Sequence, residues 1–197
     1  MANNLDKVIS LANKNNGFIS NADLIKSDIS TKYLTVLLKN GTAEKVKPGL
    51  YILAKSIADE FYAVTYGVSA VFSHTASLYL HSFSDRTPSK FDITVASNYS
   101  GSLSKNRRVN LFYTKNELLK IGVEKIKTPQ GSIVDVYDIE RTICDIIRNE
   151  KRVETEIFVS ALQKYARYRN KRLNALLKYA SLFGISDKVE EKLRILL

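Results

Sequence analysis

The sequence is poor in the residues that form covalent cross-links and metal centres. Its 197 residues include one cysteine, two histidines, one methionine and no tryptophan. One cysteine cannot form an intrachain disulfide, which favours a reducing compartment, and we expect a cytoplasmic protein. A metal site would need further ligands at matching spacing, so we expect neither a metal nor a cofactor. No apolar run approaches the length of a membrane span and the amino terminus lacks a signal-peptide layout, so we expect no membrane partner.

Acidic residues are also scarce, and their shortage is uneven along the chain. Thirty lysines and arginines stand against 20 acids, which gives a net charge of +10. The segments 1–55, 56–99, 100–150 and 151–197 carry +4, −2, +2 and +6. Basic charge gathered at the two ends favours a polyanionic partner, most simply double-stranded DNA. The alternative is a basic surface that serves only solubility.

The first 54 residues predict a winged helix-turn-helix domain. Apolar residues at helical spacing predict a helix over residues 4–16, and Ser20 is placed to cap a second helix. A third helix begins near Thr31 and ends at Gly41, since glycine adopts the left-handed conformation cheaply. Two short strands follow, joined by a Pro-Gly turn. This order places the third helix in the major groove of DNA, although a winged helix that binds only protein has the same pattern.

The third predicted helix has two different faces. Leu34, Leu37 and Leu38 recur at helical spacing and are expected to pack inward. We expect the opposite face to enter the major groove, the residues at the helix start to cap it and meet a phosphate, and two lysines of the wing to hold the backbone or the minor groove. The predicted DNA-binding residues are Ser30, Thr31, Lys32, Thr35, Lys39, Lys45 and Lys47.

Residues 55–197 predict a second domain with both helices and strands. Alternating apolar and polar residues predict a half-buried strand over 91–96, and a turn at 128–131 predicts a hairpin. We expect a small, mainly antiparallel sheet over about 91–137 and a helical bundle over about 138–197. The predicted fold class is therefore α+β, with an N-terminal winged helix-turn-helix followed by a C-terminal α/β domain.

Basic residues in the second domain are candidates for a further contact with DNA or with a partner protein. The densest group is the run 164–172, in which five of nine residues are cationic. This run could bind the DNA backbone or an acidic face of a partner, or it could be an exposed helix end whose cations favour the helix dipole. The candidate residues are Arg107, Arg108, Lys164, Arg167, Arg169, Lys171 and Arg172.

Residues with catalytic chemistry form no recognisable constellation, so we expect no catalytic residue and no enzyme. His74 and His81 are expected to be structural or interface residues. Cys144 is expected to be a small core residue or a surface bystander, because no histidine near it in sequence could activate its thiol. A DNA-binding, metal-dependent nuclease is the alternative, because Asp92 and Asp135 lie in predicted strands with basic residues nearby.

Five blocks of the sequence together resemble one family. The blocks are Pro48–Tyr51, Val71–His81, Ser84–Pro88, Thr128–Gly131 and Val136–Asp145. In this order, and across nearly the whole chain, they resemble the AbiEi family of bacterial antitoxins, which belong to abortive-infection operons that give phage resistance. The block from His74 to Pro88 and the block around Glu140-Arg141 are the most specific. One departure is Ser82-Phe83, where the family pattern has a small residue followed by an aliphatic one.

The resemblance implies a winged-helix domain that represses the protein's own operon at inverted repeats. It also implies a carboxy-terminal domain that counters a toxin of the nucleotidyltransferase type. Such systems are called type IV because antitoxin and toxin need not form a stable complex. The sequence has no coiled-coil heptads, so we expect a monomer in solution and two copies on the DNA. The alternative is a protein-binding module that neutralises an acidic partner directly.

The residues of the resembling blocks also have a structural interpretation. Residues 138–145 predict the start of one helix, whose exposed face is expected to carry Asp138, Glu140, Arg141 and Asp145. Arg141 and Asp145 have the spacing of a helical ion pair. Asp85-Arg86 fits a turn with a local salt bridge. We favour an architectural role for both blocks over a direct functional site.

Overall fold

The computed structural model of the chain describes residues 4–194, which form two compact units. Unit 1 consists of the residues up to Gly67 together with Lys127–Ile133. Unit 2 consists of Val68–Ile126 and the residues from Val134 onwards. Unit 1 thus extends past the predicted boundary at residue 54 and takes in a segment distant in sequence. Within residues 4–194, no helix is long and apolar enough to cross a membrane.

Unit 1 combines short helices with a small sheet. Its helices are α1 (Asn4–Lys14), α2 (Asn21–Lys26), α3 (Lys32–Lys39) and α4 (Glu60–Thr65). Its strands β1 (Phe18–Ser20), β2 (Ala43–Lys47) and β3 (Leu50–Leu53) form an antiparallel sheet in the order β1-β3-β2. Helices α1 to α3 and the β2–β3 hairpin lie where the sequence predicts them, and β1 is an addition to the prediction.

Local chemistry explains where these elements begin and end. The Ser20 hydroxyl accepts a hydrogen bond from the Asp23 N–H, and the Asp23 carboxylate accepts one from the Ser20 N–H, both at 3.0 Å. This reciprocal cap starts α2 by satisfying two backbone donors. Gly41 follows α3 with φ of +71°, and Gly49 closes the β2–β3 turn with φ of +78°. Both conformations favour glycine, so the predicted end of the helix at Gly41 and the predicted turn at Gly49 are confirmed.

The core of unit 1 lies between the helices and the sheet. It consists of Val8, Ala12, Ile19, Leu24, Leu34, Leu37, Ala43 and Leu53. Leu34 and Leu37 of α3 are 3% and 0% exposed, as predicted, whereas Leu38 is 37% exposed. The expectation that Leu38 packs inward is therefore wrong. Successive residues of a helix differ by about 100°, which carries Leu38 from the buried direction of Leu37 to the rim of the core.

Unit 2 is built on a five-stranded sheet in the order β6-β5-β4-β8-β7. The strands are β4 (Ala70–Phe72), β5 (Phe91–Ala96), β6 (Val109–Thr114), β7 (Val123–Lys127) and β8 (Ile133–Tyr137). Strand β4 pairs antiparallel with β5 and parallel with β8, and β5 pairs parallel with β6. The sheet is therefore mixed, and the expectation of a mainly antiparallel sheet is wrong. It also begins at residue 70 rather than near 91.

Strand β5 differs from its prediction in burial. Its first five residues are all buried, including Asp92 and Thr94, so it is not the half-buried strand that its alternating sequence predicts. Polar side chains are tolerated inside because they find hydrogen-bond partners: Asp92 bonds to Thr75 and Asn110, and the Thr94 hydroxyl donates to Ser73 at 2.8 Å.

Helices complete unit 2. They are α5 (His74–Leu80), α6 (Ile139–Arg148), α7 (Thr155–Arg167), α8 (Leu173–Leu182) and α9 (Ser186–Arg194). The last four lie in the region predicted as helical. Helix α6 is buried along nearly its whole length and packs in one apolar core with residues of α5, α7, α8 and α9. The Asp138 carboxylate caps α6 by accepting a hydrogen bond from the Arg141 N–H at 2.8 Å.

Candidate nucleic-acid interface

Helix α3 presents a polar face away from the core of unit 1. Lys32, Thr35 and Lys39 are exposed, whereas Leu34 and Leu37 on the other side are buried. The spacing of the three polar residues places them within about 60° of one another around the helix axis. The helix therefore offers two cationic side chains and a hydroxyl on one accessible strip.

The start of α3 differs from the prediction in how it is capped. Thr31 is the capping residue, but it has a helical backbone and its side chain makes no capping hydrogen bond. The Ser30 hydroxyl instead accepts from the Lys32 N–H at a long 3.4 Å. Both Ser30 and Thr31 are exposed. The Tyr33 and Leu34 N–H groups donate to the carbonyl oxygens of Ser30 and Thr31 at 3.2 and 3.1 Å, so only the Lys32 N–H is weakly satisfied at this end.

The two predicted wing lysines have different environments. Lys45 of β2 is exposed. Lys47 is half-buried: its ammonium donates to the Val64 carbonyl oxygen at 3.4 Å and lies 5.5 Å from the centre of the Tyr66 ring. Burial lowers the pKa of Lys47 below its usual value. Lys45 is therefore free to reach a ligand, while Lys47 is partly engaged by α4 and the residue after it.

Three exposed lysines of α3 and β2 have no internal partner among residues 4–194. In the part of the chain that the structure describes, no acid and no acceptor pairs with the side chains of Lys32, Lys39 or Lys45. An unpaired, solvated ammonium can approach an anion without first breaking a bond within the protein. We use the name free lysines for these three residues.

The predicted basic run 164–172 of unit 2 is largely used within the protein. The Lys164 ammonium donates to the Ser82 carbonyl oxygen at 2.8 Å, and Lys171 donates to the Ala166 carbonyl oxygen at 2.6 Å. Arg172 lies 2.6 Å from the buried Glu140 carboxylate and 3.0 Å from Asp138. These hydrogen bonds, first of all those with Glu140, raise the pKa of Arg172.

The other predicted cations of unit 2 remain at its surface. Arg167 and Arg169 are exposed, and neither has an ion pair or side-chain hydrogen bond among residues 4–194. Arg107 and Arg108 are also exposed, and the Arg108 guanidinium lies over the Phe91 ring at 5.5 Å. Of the 164–172 run, only Arg167 and Arg169 are therefore available to a partner.

The block around Arg141 forms the interior of unit 2. The Arg141 side chain is completely buried, and its Nε donates to Asp145 at 2.9 Å. Its Nη1 donates to the carbonyl oxygens of Leu118 and Ile121 at 3.1 and 2.9 Å. The rings of Tyr137 and Phe183 lie 4.1 and 4.2 Å from the guanidinium carbon. The predicted ion pair between Arg141 and Asp145 is confirmed.

The expectation that this block occupies an exposed helix face is wrong. Asp138, Glu140 and Asp145 are at most 5% exposed. The Tyr179 hydroxyl donates to Asp138 at 2.8 Å, and Glu140 accepts from Arg172. Burial raises the pKa of the Asp145 carboxyl despite the nearby Arg141 and Arg148 charges. The side chains are inward because each finds a partner on another element, which periodicity along one helix does not reveal.

Histidine and cysteine have structural environments. His74 is fully buried, stacks on Phe112 with 3.6 Å between ring centres, and forms hydrogen bonds with Ser73 and Asn149. His81 Nε2 lies 2.8 Å from the Tyr137 carbonyl oxygen and 3.2 Å from Glu124. Cys144 is buried, and burial raises the pKa of its thiol to about 12. A buried thiol with a raised pKa is a poor nucleophile.

The acids considered for a nuclease do not converge. Asp92 lies in β5, where it accepts from the Thr75 N–H and from Asn110, both at 3.0 Å. Asp135 lies in β8, two strands away, and pairs with Lys125 and Lys120 at 2.5 and 3.4 Å. Within residues 4–194, no group of three or more His, Cys, Asp or Glu side chains could hold a metal ion.

The turn before Thr87 also differs from its prediction. Arg86 pairs with Glu154 at 3.0 Å, and both side chains are largely exposed. The expected local salt bridge between Asp85 and Arg86 is therefore replaced by one that joins residues 68 positions apart.

One residue of the α3 face is missing from the sequence prediction. Val36 is 46% exposed, in contrast to the buried Leu34 and Leu37. It follows Lys32 by four residues and precedes Lys39 by three, so it lies on the same face as both lysines. The helical period alone places it there, but the prediction considered only polar side chains for the DNA-facing side.

Comparison with known proteins identifies a fold neighbour and no family. No protein-family model matches the sequence. No curated protein matches it either. The structure is similar to the crystal structure of the RV2827C protein from Mycobacterium tuberculosis, with a TM-score of 0.63 and 10% sequence identity, over all of this chain and 77% of that one. At this identity the similarity shows that the two proteins share a fold, and it shows nothing further.

Proposed function

We propose that unit 1 is a winged helix-turn-helix domain and that the protein binds double-stranded DNA as a transcriptional repressor. The observation that carries this proposal is the outward face of α3, on which Lys32, Thr35 and Lys39 are exposed. The two lysines have no internal partner in the described part of the chain, residues 4–194. The order of α1 to α3 followed by the β2–β3 hairpin supports it. The +4 charge of residues 1–55 gives further support.

The arrangement suits DNA for two physical reasons. The major groove is wide enough to admit an α-helix, and side chains on one face of that helix can then reach base edges. Lysines without an internal partner can neutralise phosphates and release condensed counterions, which supplies most of the affinity of such proteins. Lys45, exposed on the wing, would add a contact beside the groove, whereas Lys47 is already engaged by unit 1.

We further propose that the protein is the cytoplasmic antitoxin of a type IV abortive-infection operon, which represses its own promoter at inverted repeats. In this proposal the protein is a monomer in solution, and two copies bind the DNA at the inverted repeats. Unit 2 counters a nucleotidyltransferase-like toxin without forming a stable complex with it. The support is the resemblance of five sequence blocks to the AbiEi family. Because the block around Arg141 is buried, its role would be to hold unit 2 together, and contact with any partner would fall to other, exposed residues.

A gel-shift titration tests the DNA-binding part of the proposal. The probes are the DNA upstream of the protein's gene and a random duplex of equal length, each titrated over a range of salt concentrations. We expect preferential binding to the upstream DNA. The Lys32→Ala/Lys39→Ala variant should lose this preference, and its slope of log affinity against log salt should be shallower by about 0.9 for each lost phosphate contact.

A matched control separates the α3 face from net charge. Lys7 and Lys14 are also seven residues apart, lie on α1 of the same unit and are exposed. The Lys7→Ala/Lys14→Ala variant loses the same charge and should keep the preference for the upstream DNA. Equal losses in both variants would point to nonspecific attraction, and a wild type that binds both probes equally would end the repressor proposal.

The antitoxin part has its own test. The neighbouring gene is expressed from an inducible promoter with and without the full-length protein, and growth is followed. We expect the gene to arrest growth and the protein to restore it, including the Lys32→Ala/Lys39→Ala variant, because neutralisation is assigned to unit 2. No arrest, or no restoration by the wild type, would refute this part while leaving the DNA-binding part standing.

A further inference from the structure

Val36 is an exposed apolar side chain beside the polar residues of the α3 face. On α3 it lies within one helical turn of Lys32 and Lys39, and next to Thr35, on the face that points away from the core. It is 46% exposed, whereas Leu34 and Leu37 are almost completely buried. A β-branched residue at an exposed helix position is also less favourable for the helix than alanine. The Val36 side chain is therefore not part of the core of unit 1 and is available for contact with a ligand.

We propose that Val36 reads a thymine methyl group in the major groove and so requires a T·A base pair at one position of each half-site. This inference rests on the proposed binding of unit 1 to DNA and adds a base preference to it. Among the four bases, thymine alone presents a methyl group in the major groove, where most other exposed groups are hydrogen-bond donors and acceptors.

The side chain of Val36 can make a favourable contact only with an apolar group on a base edge. Its two methyl groups offer no donor and no acceptor, so over a guanine, adenine or cytosine edge they would displace water without replacing its hydrogen bonds. Against a thymine methyl group they bury apolar surface on both sides. Lys32 and Lys39, one turn away in either direction, would fix the helix over the groove through phosphates or guanines.

Thr35 and Val36 are expected to differ in how strictly they select the base that each one faces. Thr35 precedes Val36 and can turn either its hydroxyl or its methyl group to a base edge, so it tolerates several bases. Val36 cannot. We therefore expect the base facing Val36 to be the more strictly selected of the two.

Substitution of thymine by deoxyuridine tests the proposal, because it removes the methyl group and keeps the base pair. The duplex that binds the wild type most tightly is first selected from a random pool. Each thymine of one half-site is then replaced singly by deoxyuridine, and binding is measured for the wild type, Val36→Ala and Val159→Ala. Val159 of α7 is a matched control, since it is an exposed valine of unit 2.

We expect one thymine at which deoxyuridine weakens wild-type binding about fourfold, the value for one buried methyl-sized group. Val36→Ala should bind the thymine duplex about fourfold more weakly and should not distinguish it from the deoxyuridine duplex at that position. Val159→Ala should behave as the wild type does. A wild type that is indifferent to deoxyuridine at every position, or a Val36→Ala variant that keeps full discrimination, would overturn the inference.

The outcomes distinguish a failure of this inference from a failure of the repressor proposal on which it rests. Sequence-selective binding that depends on Lys32 and Lys39 but ignores the thymine methyl groups refutes the role of Val36 alone. A wild type for which no preferred duplex can be selected refutes the repressor proposal, and the thymine preference falls with it.

Discussion

Lysines and arginines are used differently in the two units of this protein. On α3 and β2 of unit 1, Lys32, Lys39 and Lys45 are exposed and have no internal partner within residues 4–194. In unit 2, Arg141 is buried against Asp145 and two carbonyl oxygens, and Arg172 holds Glu140. Yet the sequence gives unit 2 the denser basic run and residues 151–197 the larger net charge, +6 against +4 for residues 1–55.

The comparison teaches that the number of charges does not locate an interface. A cation bonded to a buried carboxylate contributes to folding and cannot move to a phosphate without leaving that carboxylate unpaired. A cation in water has no such cost. The three free lysines of unit 1 are available to bind an anion, whereas of the five cations in the 164–172 run only Arg167 and Arg169 are.

The largest expected effect contrasts one buried cation with one exposed cation. Arg141→Ala should lower the free energy of unfolding by about 3–5 kcal/mol, because it leaves the buried Asp145 carboxylate without its main partner. Lys32→Ala removes the same charge from a solvated site and should change stability by less than about 0.5 kcal/mol. Urea denaturation of both variants measures this. Similar losses for the two variants would break the distinction between the units.

An intermediate effect concerns the pH dependence of stability. It belongs to unit 2, which contains both histidines. Burial, then the charges of Arg148, Arg152 and Arg141, hold the pKa of His74 well below its usual 6.5. Below pH 6.5 the unfolded chain binds a proton that folded His74 refuses, so stability falls as pH falls, by up to about 1.4 kcal/mol per pH unit. His74→Asn should remove this slope, and asparagine tolerates the positive φ of residue 74.

Urea midpoints and slopes at several pH values between about 7 and 5.5 measure this contribution. The control is His81→Asn, which leaves His74 in place and should keep its slope. The same slope in the wild type and in His74→Asn would show that the acid sensitivity of the protein arises elsewhere.

The smallest expected effect sharpens the comparison within unit 1. Lys45→Ala should leave stability unchanged within about 0.5 kcal/mol and make the salt slope of DNA binding shallower by about 0.9. Lys47→Ala should do the reverse: it should cost about 0.5–1 kcal/mol of stability, through the Val64 hydrogen bond and the Tyr66 ring, and leave the salt slope unchanged. Denaturation and gel shifts on both variants decide whether the engaged lysine is also a DNA contact.

Much of unit 1 follows from local sequence, and much of unit 2 does not. The helical period places α3, and Gly41 and Gly49 mark its end and the β2–β3 turn, because these signals act over a few residues. The mixed sheet of unit 2 joins β4 to β8, with Phe72 opposite Val136, and no local pattern specifies which distant strands pair or in which direction.

The candidate site shows the same limit. Periodicity selects the outward residues of α3, and it would have included Val36 had apolar side chains been considered. It wrongly assigns Leu38 to the core, because this side chain lies at the rim and is exposed. It also places Glu140 and Asp145 on an exposed face, because alternation along one helix is blind to the arginines and backbone carbonyls that other segments bring to it.

The sequence by itself determined which stretches form α1, α2 and α3, which side of α3 faces away from the core, and that the chain is strongly basic. The tertiary structure alone decided which of those basic residues are free. Lys47 meets a carbonyl 17 residues away and Arg172 meets a carboxylate 32 residues away. Pairings at such separations arise from packing of the whole unit, so they are not encoded in any short stretch of the chain.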